Sequence, residues 1–402
     1  MQIRSLSLSN YRIFKRLEMD FPQRLTLLVG NNAQGKTSIL EAIHFLSIFT
    51  SPLASSDREA INLLALKDEI PVGRIVGGIQ KAGKNHTLEI RLILNPAQNG
   101  SGRLRKEVLI DGVKKKLFDA VGFFNSVLFL PQMTRILEDG PDERRKYIDQ
   151  LLSQAYPGYV RALSDYQAAL TRRNALLKLL FDKGGDEGQL AYWDGMIASN
   201  GATIIEARIK SISDFEKYFR EQFRRLTGSR EEICLDYQPS YNGVNQASHQ
   251  LALGISQSQG DQLGYTEIRD HFLARLKTLR REEIRRGVTT IGPHRDEIRF
   301  FSNNMDLGVF GSRGQIRTAV MALKIAETQW LKDKSGELPV LLLDETLAEL
   351  DELRRADLLN SLGLDEQAIL TTTDLKLFTP DFIKTCQVWQ VAEGRVEKST
   401  SG

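Results

Sequence analysis

The chain has 402 residues, of which 41% are hydrophobic and 26% are charged, and its formal net charge is +3. This composition is typical of a soluble globular protein and excludes a collagen-like or disordered chain. Because the length exceeds what one core usually supports, it predicts two domains or one domain with a large insertion. The mild net charge permits nucleic-acid binding without arguing for it, so any basic footprint must be local.

The sequence also predicts a cytoplasmic protein with no membrane contact. No run approaches twenty apolar residues, and the first residues lack the basic-then-apolar order of a signal peptide. The two cysteines are far apart, which indicates a reducing compartment and argues against a cysteine-rich metal site.

Two short strands are predicted near the start of the chain, at residues 3–8 and 17–21. In the second of them apolar and polar residues alternate, which is the period of a half-buried strand. The turn between the strands carries Arg12. This residue is either an ordinary turn residue or a ligand of a nucleotide phosphate, and the spacing alone leaves both open.

Residues 25–38 have the pattern of a phosphate-binding P-loop. An apolar run at 25–29 predicts a strand, a helix pattern follows to about residue 49, and the turn between them fits G-x4-G-K-[ST]. Glycines let backbone N–H groups point at phosphate oxygens, and the helix N-terminus adds partial positive charge. Lys36 is predicted to reach the β- and γ-phosphates, and Thr37 to ligate Mg²⁺. The predicted nucleotide ligands in this loop are Gly30, Asn32, Gly35, Lys36, Thr37 and Ser38.

A compact apolar run at residues 126–130 predicts a buried strand that ends just before Gln132. A glutamine at the end of a core strand can lie near a metal ion and the attacking water. It can equally be an ordinary loop residue, and the sequence does not decide between these interpretations.

From about residue 139 the pattern becomes helical. Periodicity predicts helices over 144–180 and 189–226 with a glycine-rich turn between them, which indicates a compact antiparallel helical arm. Residues 228–265 are rich in Gln, Ser and Gly and predict a mobile loop. A helix at about 266–286 carries the strongest basic cluster, which is either a solvated, internally paired face or a phosphate-contacting one. The candidate phosphate ligands in it are Arg280, Arg281, Arg285 and Arg286.

Two further segments follow this helix. Residues 289–298 return to a strand pattern, and the run of His294, Arg295 and Asp296 suggests a catalytic cluster, with metal binding disfavoured because no second histidine has ligand spacing. Residues 312–315 then open an amphipathic helix. Small residues and Gln at a helix start expose N–H groups that suit a second phosphate contact, but a well-made helix start needs no ligand. The candidates in this segment are Ser312, Gly314 and Gln315.

Four apolar residues at 340–343 predict a central parallel strand with two acids at its carboxyl end. Acids in that position beside a P-loop strand are expected to hold Mg²⁺ through Asp344 and to polarise water through Glu345. A last strand from residue 368 runs into hydroxyl residues, which makes Thr373 a candidate γ-phosphate sensor.

The order of these motifs resembles the ABC-type ATPase head, and the details resemble the bacterial RecF family of DNA replication and repair proteins, which are SMC-like ATPases. The resemblance covers nearly the whole chain and is weakest across residues 182–265. The segments that carry it are residues 8–14, 30–37, 140–145, 292–296, 312–315, 343–345 and 349–351.

The resemblance implies an α/β fold: an ABC-type ATPase head, with a mixed P-loop sheet and helices, plus an inserted helical arm lobe. Residues 1–138 and 288–402 would form the head, and residues 139–287 the arm. Two ATP molecules would be sandwiched between two heads. Ser312 and Gly314 of one subunit would then face the γ-phosphate held by the P-loop of the other.

The resemblance also implies an ATP-dependent homodimer that clamps double-stranded DNA, notably at junctions between single and double strands. The clamp would help recombination mediator proteins load a RecA-type recombinase during recombinational repair and fork restart. Slow ATP hydrolysis would reset it. The basic helix gains weight as a DNA-binding surface in this view, because nonspecific binding is largely a phosphate-charge effect.

The chain departs from the family pattern in two places. Family members commonly carry Asp-Asp where this chain has Asp344-Glu345, although Glu is what the wider ATPase class uses there. Gln132 lies where a Ser-Pro-Glu-Asp type of run is frequent. Three alternative functions remain, the weakest of which is an ATP-dependent nuclease of the overcoming-lysogenisation type, which needs an appended acid-rich metal domain. An SMC-type head needs a much longer rod, and a transporter ATPase subunit predicts a membrane partner and a switch histidine where this chain has Thr373.

Overall fold

The computed structural model describes residues 1–95, 102–241, 264–349, 355, 359 and 366–399. The chain divides into two compact units, one of Met1–Met133 with Glu327–Gly402 and the other of Thr134–Ala326. The functional division at residues 138 and 288 stays a prediction. By contacts alone, residues 288–326 belong to the second unit.

The strands, in chain order, are β1 (Gln2–Tyr11), β2 (Phe14–Asp20), β3 (Leu25–Val29), β4 (Val72–Lys81), β5 (Lys84–Asn95), β6 (Arg103–Ile110), β7 (Val113–Lys115), β8 (Ser126–Phe129), β9 (Ile233–Gln238), β10 (Glu297–Ser302), β11 (Met305–Asp306), β12 (Val340–Asp344), β13 (Ala368–Thr372), β14 (Cys386–Ala392) and β15 (Arg395–Lys398). The α-helices are α1 (Lys36–Ile48), α2 (Leu117–Ala120), α3 (Arg135–Glu138), α4 (Pro141–Ala155), α5 (Pro157–Lys183), α6 (Leu190–Thr227), α7 (Tyr265–Arg286), α8 (Leu307–Phe310), α9 (Arg313–Ser335) and α10 (Pro380–Lys384). Short 3-10 turns include Pro131–Thr134, Pro293–Arg295 and Thr346–Glu349.

The first unit contains a sheet in the order β15-β14-β3-β13-β12-β8. The strands from β14 to β8 run parallel, and β15 pairs antiparallel with β14 at the edge. Every residue of β3, β8, β12 and β13 is buried, as expected for parallel strands covered on both faces. The segments that follow these four strands therefore meet at one edge of the sheet, and the predicted α/β fold class is confirmed.

The second sheet of this unit is antiparallel, in the order β2-β1-β4-β5-β6-β7. Helix α1 contacts strands of both sheets, including β4 and β5 of this one and β8 and β12 of the other. Eleven of its thirteen residues are buried, because the helix is covered by strands of both sheets. This packing fixes the first turn of α1, which begins at Lys36.

The second unit is built mainly from helices. The long helices α5 and α6 pack on each other and on α7, and a three-stranded sheet in the order β11-β10-β9 completes the unit. The predicted single helix over 144–180 is wrong, because one helix ends before Tyr156 and a second helix begins at Pro157. Proline cannot donate the N–H that a helix interior needs, but it is well suited to a first turn.

The sequence also missed β9, which lies in the region predicted as a loop. Its ladder with β10 joins partners about sixty residues apart, which local patterning cannot reveal. Within that region residues 242–263 lie outside the described residues, as do Leu350 and Asp351. None of the described helices is long and apolar enough to cross a membrane.

Candidate functional site

The loop between β3 and α1 has the backbone of a phosphate-binding turn. Gly35 has φ 108°, in the left-handed region that favours glycine, and α1 begins at the next residue. Gly30 is needed for a different reason, because a Cβ there would overlap the carbonyl oxygen of Val391. A cavity of about 400 Å³ lies over this loop. It is lined by Ile13, Asn32, Ala33, Gln34, Gly35, Lys36, Thr37, Ser38 and Glu345.

Lys36 is held inside this cavity with its side chain only 4% exposed. Its Nζ donates to the carbonyl oxygens of Gly30 at 2.6 Å and Asn31 at 2.9 Å. The same Nζ lies 3.0 Å from Oε1 of Glu345. The cation is thus fixed where the glycine turn and the end of β12 converge, which is the position from which it can bind phosphate oxygens.

Asp344 and Thr37 form the second contact across the sheet edge. Thr37 Oγ1 donates to Asp344 Oδ2 at 2.8 Å, and Thr371 Oγ1 donates to Asp344 Oδ1 at 2.8 Å. Burial raises the pKa of Asp344 above its usual range, and the two hydroxyl donors partly offset this. Hydroxyl and carboxylate oxygens are the protein ligands that Mg²⁺ takes beside nucleotide phosphates, so Thr37 and Asp344 fit that ion.

Thr371 is a site residue that the sequence analysis missed. Its Oγ1 also accepts from the backbone N of Glu345 at 2.9 Å, so one hydroxyl fixes both acids. Glu345 has φ 47°, which turns the chain sharply after β12. The register that pairs Asp344 with Thr371 selects this threonine, whereas the predicted Thr373 is exposed beyond the end of β13.

Arg12 and Gln132 also belong to the first unit. Arg12 Nε donates to Glu41 Oε2 at 2.7 Å, and its NH1 donates to the carbonyl oxygen of Glu59 at 3.0 Å. Gln132 is exposed in the turn that follows β8, the strand beside β12. The nucleotide and metal roles of these two residues, and of Thr373, stay predictions.

The Ser312 segment belongs to the second unit and is a reciprocally capped helix start. Ser312 N donates to Gln315 Oε1 at 3.1 Å, and Gln315 N donates to Ser312 Oγ at 3.2 Å. Gln315 Nε2 also donates to Glu231 Oε2 at 3.2 Å. Ser312 and Gly314 are exposed, so their side of the helix start faces solvent. A role for Ser312, Gly314 or Gln315 toward phosphate stays a prediction.

The arginines of α7 divide into two kinds. Arg280 faces inward, since its Nε donates to Oδ2 of the fully buried Asp194 at 2.8 Å. Arg286 NH2 lies 2.7 Å from Glu282, an exposed pair at i,i+4 spacing. Arg281 and Arg285 are exposed and have no ion pair or hydrogen bond to any described residue.

Lys277 extends the exposed arginines into a stripe. Lys277, Arg281 and Arg285 lie at successive i,i+4 positions on one face of α7, and all three are exposed without a described partner. The stripe spans about 12 Å at 1.5 Å per residue. Like charges at this spacing repel one another and destabilise a helix slightly. A DNA-binding role for Arg281 and Arg285 stays a prediction, and Arg280 does not belong to this stripe because it is paired with Asp194.

The run from Gly292 to Asp296 is tied into the core of the second unit. His294 Nδ1 lies 2.7 Å from the Tyr166 hydroxyl, and burial lowers the pKa of His294 to about 4, so the ring is neutral at pH 7. Buried Arg208 NH1 donates to Asp296 Oδ2 at 3.1 Å. Both polar side chains are thus used internally, and the geometry gives no support to a catalytic cluster here.

The parallel sheet, the P-loop and the acids after β12 define the class of P-loop ATPase heads. A family model for AAA domains matches residues 5–283. The crystal structure of an Smc head bound to the C-winged helix domain of ScpA superposes with a TM-score of 0.51 at 14% identity and covers 99% of this chain and 97% of that one. At that identity the likeness shows the fold alone.

Closer relatives define the family. The DNA replication and repair protein RecF of Herpetosiphon aurantiacus is 34% identical and covers 98% of this chain and 99% of its own. RecF of Exiguobacterium sp. is also 34% identical, covering 99% of both chains. The structure of the recombination mediator protein RecF-ATP in the RecFOR pathway has a TM-score of 0.83 at 28% identity and covers 99% of this chain and 97% of that one. The chain belongs to the RecF family of DNA replication and repair proteins.

Proposed function

We propose that this chain binds ATP and Mg²⁺ at its P-loop and acts in the cytoplasm as an ATP-dependent DNA clamp in recombinational repair. The observation that carries the proposal is the convergence of Lys36 and Thr37 on Glu345 and Asp344 at one sheet edge. Lys36 binds the β- and γ-phosphates, and Thr37 and Asp344 hold the metal. Support also comes from the RecF-ATP structure, because that relative was solved with the nucleotide.

The metal would neutralise phosphate charge. Residues of this chain position the attacking water and accept its proton. Glu345 follows the metal-holding strand directly, and its carboxylate is the acceptor for the proton of the attacking water. Its backbone N is fixed by Thr371 and its side chain reaches Lys36, so the carboxylate has a defined position before phosphate arrives. Hydrolysis is slow in this proposal and serves to release the clamp.

The site is completed by a second copy of the chain. Ser312 and Gly314 of one protomer face the γ-phosphate held by the P-loop of the other, so that ATP joins two heads around double-stranded DNA or a single-strand/double-strand junction. The exposed N-terminus of α9 supports this, because the partial positive charge at a helix start suits an anion. The dimer then acts with recombination mediator proteins. This is suggested by the solved relative, which is described as a recombination mediator protein of the RecFOR pathway.

Replacing Ser312 with arginine is expected to abolish ATP-driven dimerisation while leaving ATP binding by the monomer intact. The new side chain adds bulk and charge where the second protomer must approach, and every P-loop residue is left unchanged. Light scattering with and without ATP and Mg²⁺ measures the mass, and a fluorescent ATP analogue measures binding.

The matched control for this change is Thr171→Arg, which places the same side chain on another exposed hydroxyl residue of the second unit. We expect it to dimerise like the wild type. A Ser312→Arg protein that still doubles its mass with ATP would remove this segment from the interface. A wild type that stays monomeric with ATP would remove the clamp itself.

Removing both Arg281 and Arg285 is expected to weaken DNA binding and to flatten its salt dependence. Each lost phosphate contact lowers the slope of log K against log salt by about 0.9, so the double alanine variant loses roughly 2 per protomer. Fluorescence anisotropy of duplex, single-stranded and junction DNA over a salt series, with ATP and Mg²⁺, measures both quantities.

Arg286→Ala is the matched control, since Arg286 lies on the same helix but is paired with Glu282. Its slope should stay close to that of the wild type. If the Arg281→Ala/Arg285→Ala protein keeps the wild-type slope, the stripe on α7 does not contact phosphate.

A further inference from the structure

Four of the ten large apolar side chains that are exposed in the described residues form two pairs of consecutive residues. Leu63 and Leu64 are 79% and 67% exposed, and Val309 and Phe310 are 62% and 69% exposed. Among the large apolar side chains exposed in the described residues, these are the only two pairs that are consecutive in sequence. Scattered single apolar residues on a surface need no explanation, but adjacent ones form a patch that marks an interaction site.

The first pair lies next to the turn between β1 and β2, whose Ile13 lines the nucleotide cavity. Asn62 ties it there, because Asn62 Nδ2 donates to the carbonyl oxygen of Arg12 at 2.6 Å and Asn62 Oδ1 accepts from Leu64 N at 2.9 Å. The next residue after Arg12 is Ile13, which lines the cavity and packs against Gly35. Leu63 and Leu64 are thus held beside the P-loop half of the proposed ATP site.

The second pair lies beside the other half of that site. Phe310 is two residues before Ser312, and both belong to the segment that leads into α9. The short helix α8 is held in place from its inner side, since Leu307 is fully buried and Asp306 Oδ1 accepts from Gly308 N at 2.9 Å. A Cβ on Gly308 would lie 2.7 Å from the carbonyl oxygen of Leu137, so the inner side of this helix packs closely against the backbone of α3. Val309 and Phe310 are therefore presented outward from a fixed support.

Symmetry relates the two pairs. In a two-fold dimer the surface of one protomer that contains residue i meets the surface of the other that contains residue j, and the reverse contact occurs as well. If the P-loop half of one copy faces the Ser312 half of the other, the surface with Leu63 and Leu64 faces Val309 and Phe310 twice. Each apolar pair would then be covered by the apolar pair of the other protomer.

We infer that Leu63 and Leu64 of one protomer pack against Val309 and Phe310 of a second copy of this chain, forming an apolar seal at the rim of each nucleotide. This inference rests on the proposed ATP-dependent dimer. The seal contributes affinity by burying the aromatic ring of Phe310, and it excludes water from the bound phosphates.

A double-mutant cycle tests this contact. Phe310→Ser and Leu64→Ser are each expected to raise the dissociation constant of the ATP-bound dimer about 10²-fold, roughly tenfold for each of the two symmetric contacts. Because each single change already breaks the contact, the double variant should be little weaker than either single variant. Analytical ultracentrifugation with ATP and Mg²⁺, in a Glu345→Gln background that retains nucleotide, gives the constants.

Phe181→Ser is the matched control, since Phe181 is another second-unit phenylalanine, 61% exposed. It should leave the dissociation constant unchanged. Full additivity of the Phe310 and Leu64 effects, or no effect of either, would overturn the contact while the wild type still dimerises. A wild type that does not dimerise with ATP would overturn the proposed function on which the contact depends.

Crosslinking gives a second readout that does not depend on affinity. Protomers with Leu64→Cys are mixed with protomers carrying Phe310→Cys, both in a Cys234→Ser, Cys386→Ser background, because these are the two native cysteines. A short bismaleimide should join the two kinds of protomer only with ATP. Absence of the ATP-dependent product in a mixture that still dimerises would also contradict the contact.

Discussion

Glu345→Gln is expected to lower the rate of ATP hydrolysis by about 10²- to 10⁴-fold, the usual contribution of a positioned general base. ATP binding should persist, because Lys36 keeps the carbonyl oxygens of Gly30 and Asn31 as acceptors when the carboxylate is lost. The amide has nearly the same shape as the carboxylate but cannot accept the proton. The ATP-bound dimer should therefore form and then dissociate far more slowly than that of the wild type.

Glu393→Gln is a close control for this change. Glu393 also has a positive φ, 50°, and its backbone N donates to Gln34 Oε1 of the P-loop at 2.5 Å. Its side chain is exposed, however, and does not line the cavity. Phosphate release and dimer lifetime should match the wild type for Glu393→Gln. If the Glu345→Gln dimer dissociates as fast as the wild-type dimer, Glu345 is not the base.

The sheet edge could be predicted from sequence because its signals are local. Residues 25–29 and 340–343 are largely apolar and lack the strict alternation of a half-buried strand. This pattern indicates parallel strands buried on both faces. Parallel strands with a P-loop after one and acids after another must bring those segments together. The convergence of Lys36, Thr37, Asp344 and Glu345 follows from that topology without any knowledge of the register.

The register between β12 and β13 determines which threonine contacts the two acids, and the sequence does not show that register. Three threonines lie at and just after the end of β13, and the sequence offers no reason to prefer one hydroxyl over another. Thr371 reaches both acids because the parallel ladder pairs it with Asp344, whereas Thr373 lies two residues past that pairing. A shift of one residue would have turned Thr371 to the opposite face of the sheet.

In α7, likewise, the sequence does not show which arginines are paired and which are exposed. Arg280 and Arg281 are adjacent and indistinguishable by composition, yet one is paired inside the unit and the other is exposed. The partner that separates them is Asp194, which lies 86 residues earlier on α6. Sequence patterning detects partners at i,i+3 and i,i+4, such as Glu282 and Arg286, but not partners brought in by tertiary packing.

The Gly292–Asp296 run suggests a catalytic cluster in the sequence for a related reason. Clustered His, Arg and Asp suggest chemistry when their surroundings are unknown. Here the surroundings include the buried guanidinium of Arg208, which is only 1% exposed and was not itself a candidate. A buried charge must be paired, and the segment supplies the pairing through Asp296 and the carbonyl oxygen of Pro293.

Arg208→Leu is accordingly expected to destabilise the second unit by about 3–5 kcal/mol, the cost of removing one partner from a buried ion pair. In the wild type, NH2 of Arg208 donates to Asp149 Oδ1 at 2.8 Å and NH1 to Asp296 Oδ2 at 3.1 Å. Without the guanidinium, both carboxylates lose their compensating charge. Arg281→Leu is the matched control, and at an exposed position it should change stability by less than about 0.5 kcal/mol.

The loss should also depend on pH in a defined direction. Burial raises the pKa of Asp296 in the folded chain, and the Arg208 guanidinium opposes that rise. Removing Arg208 raises the folded pKa further above the unfolded value, so the folded variant binds the proton more tightly than the unfolded one. Such a group stabilises the fold below the unfolded pKa, and the stabilisation is lost as the pH rises through the folded pKa.

The Arg208→Leu protein should therefore recover part of its deficit relative to the wild type as the pH is lowered toward the folded pKa of Asp296. Urea unfolding of the full chain at several pH values, with hydrogen exchange of α5 and α6 to localise the change, measures the effect. A deficit below about 1 kcal/mol, or one that grows as the pH falls, would mean that the buried arginine does not compensate Asp296. The Gly292–Asp296 run would then need an explanation other than the architecture of the second unit.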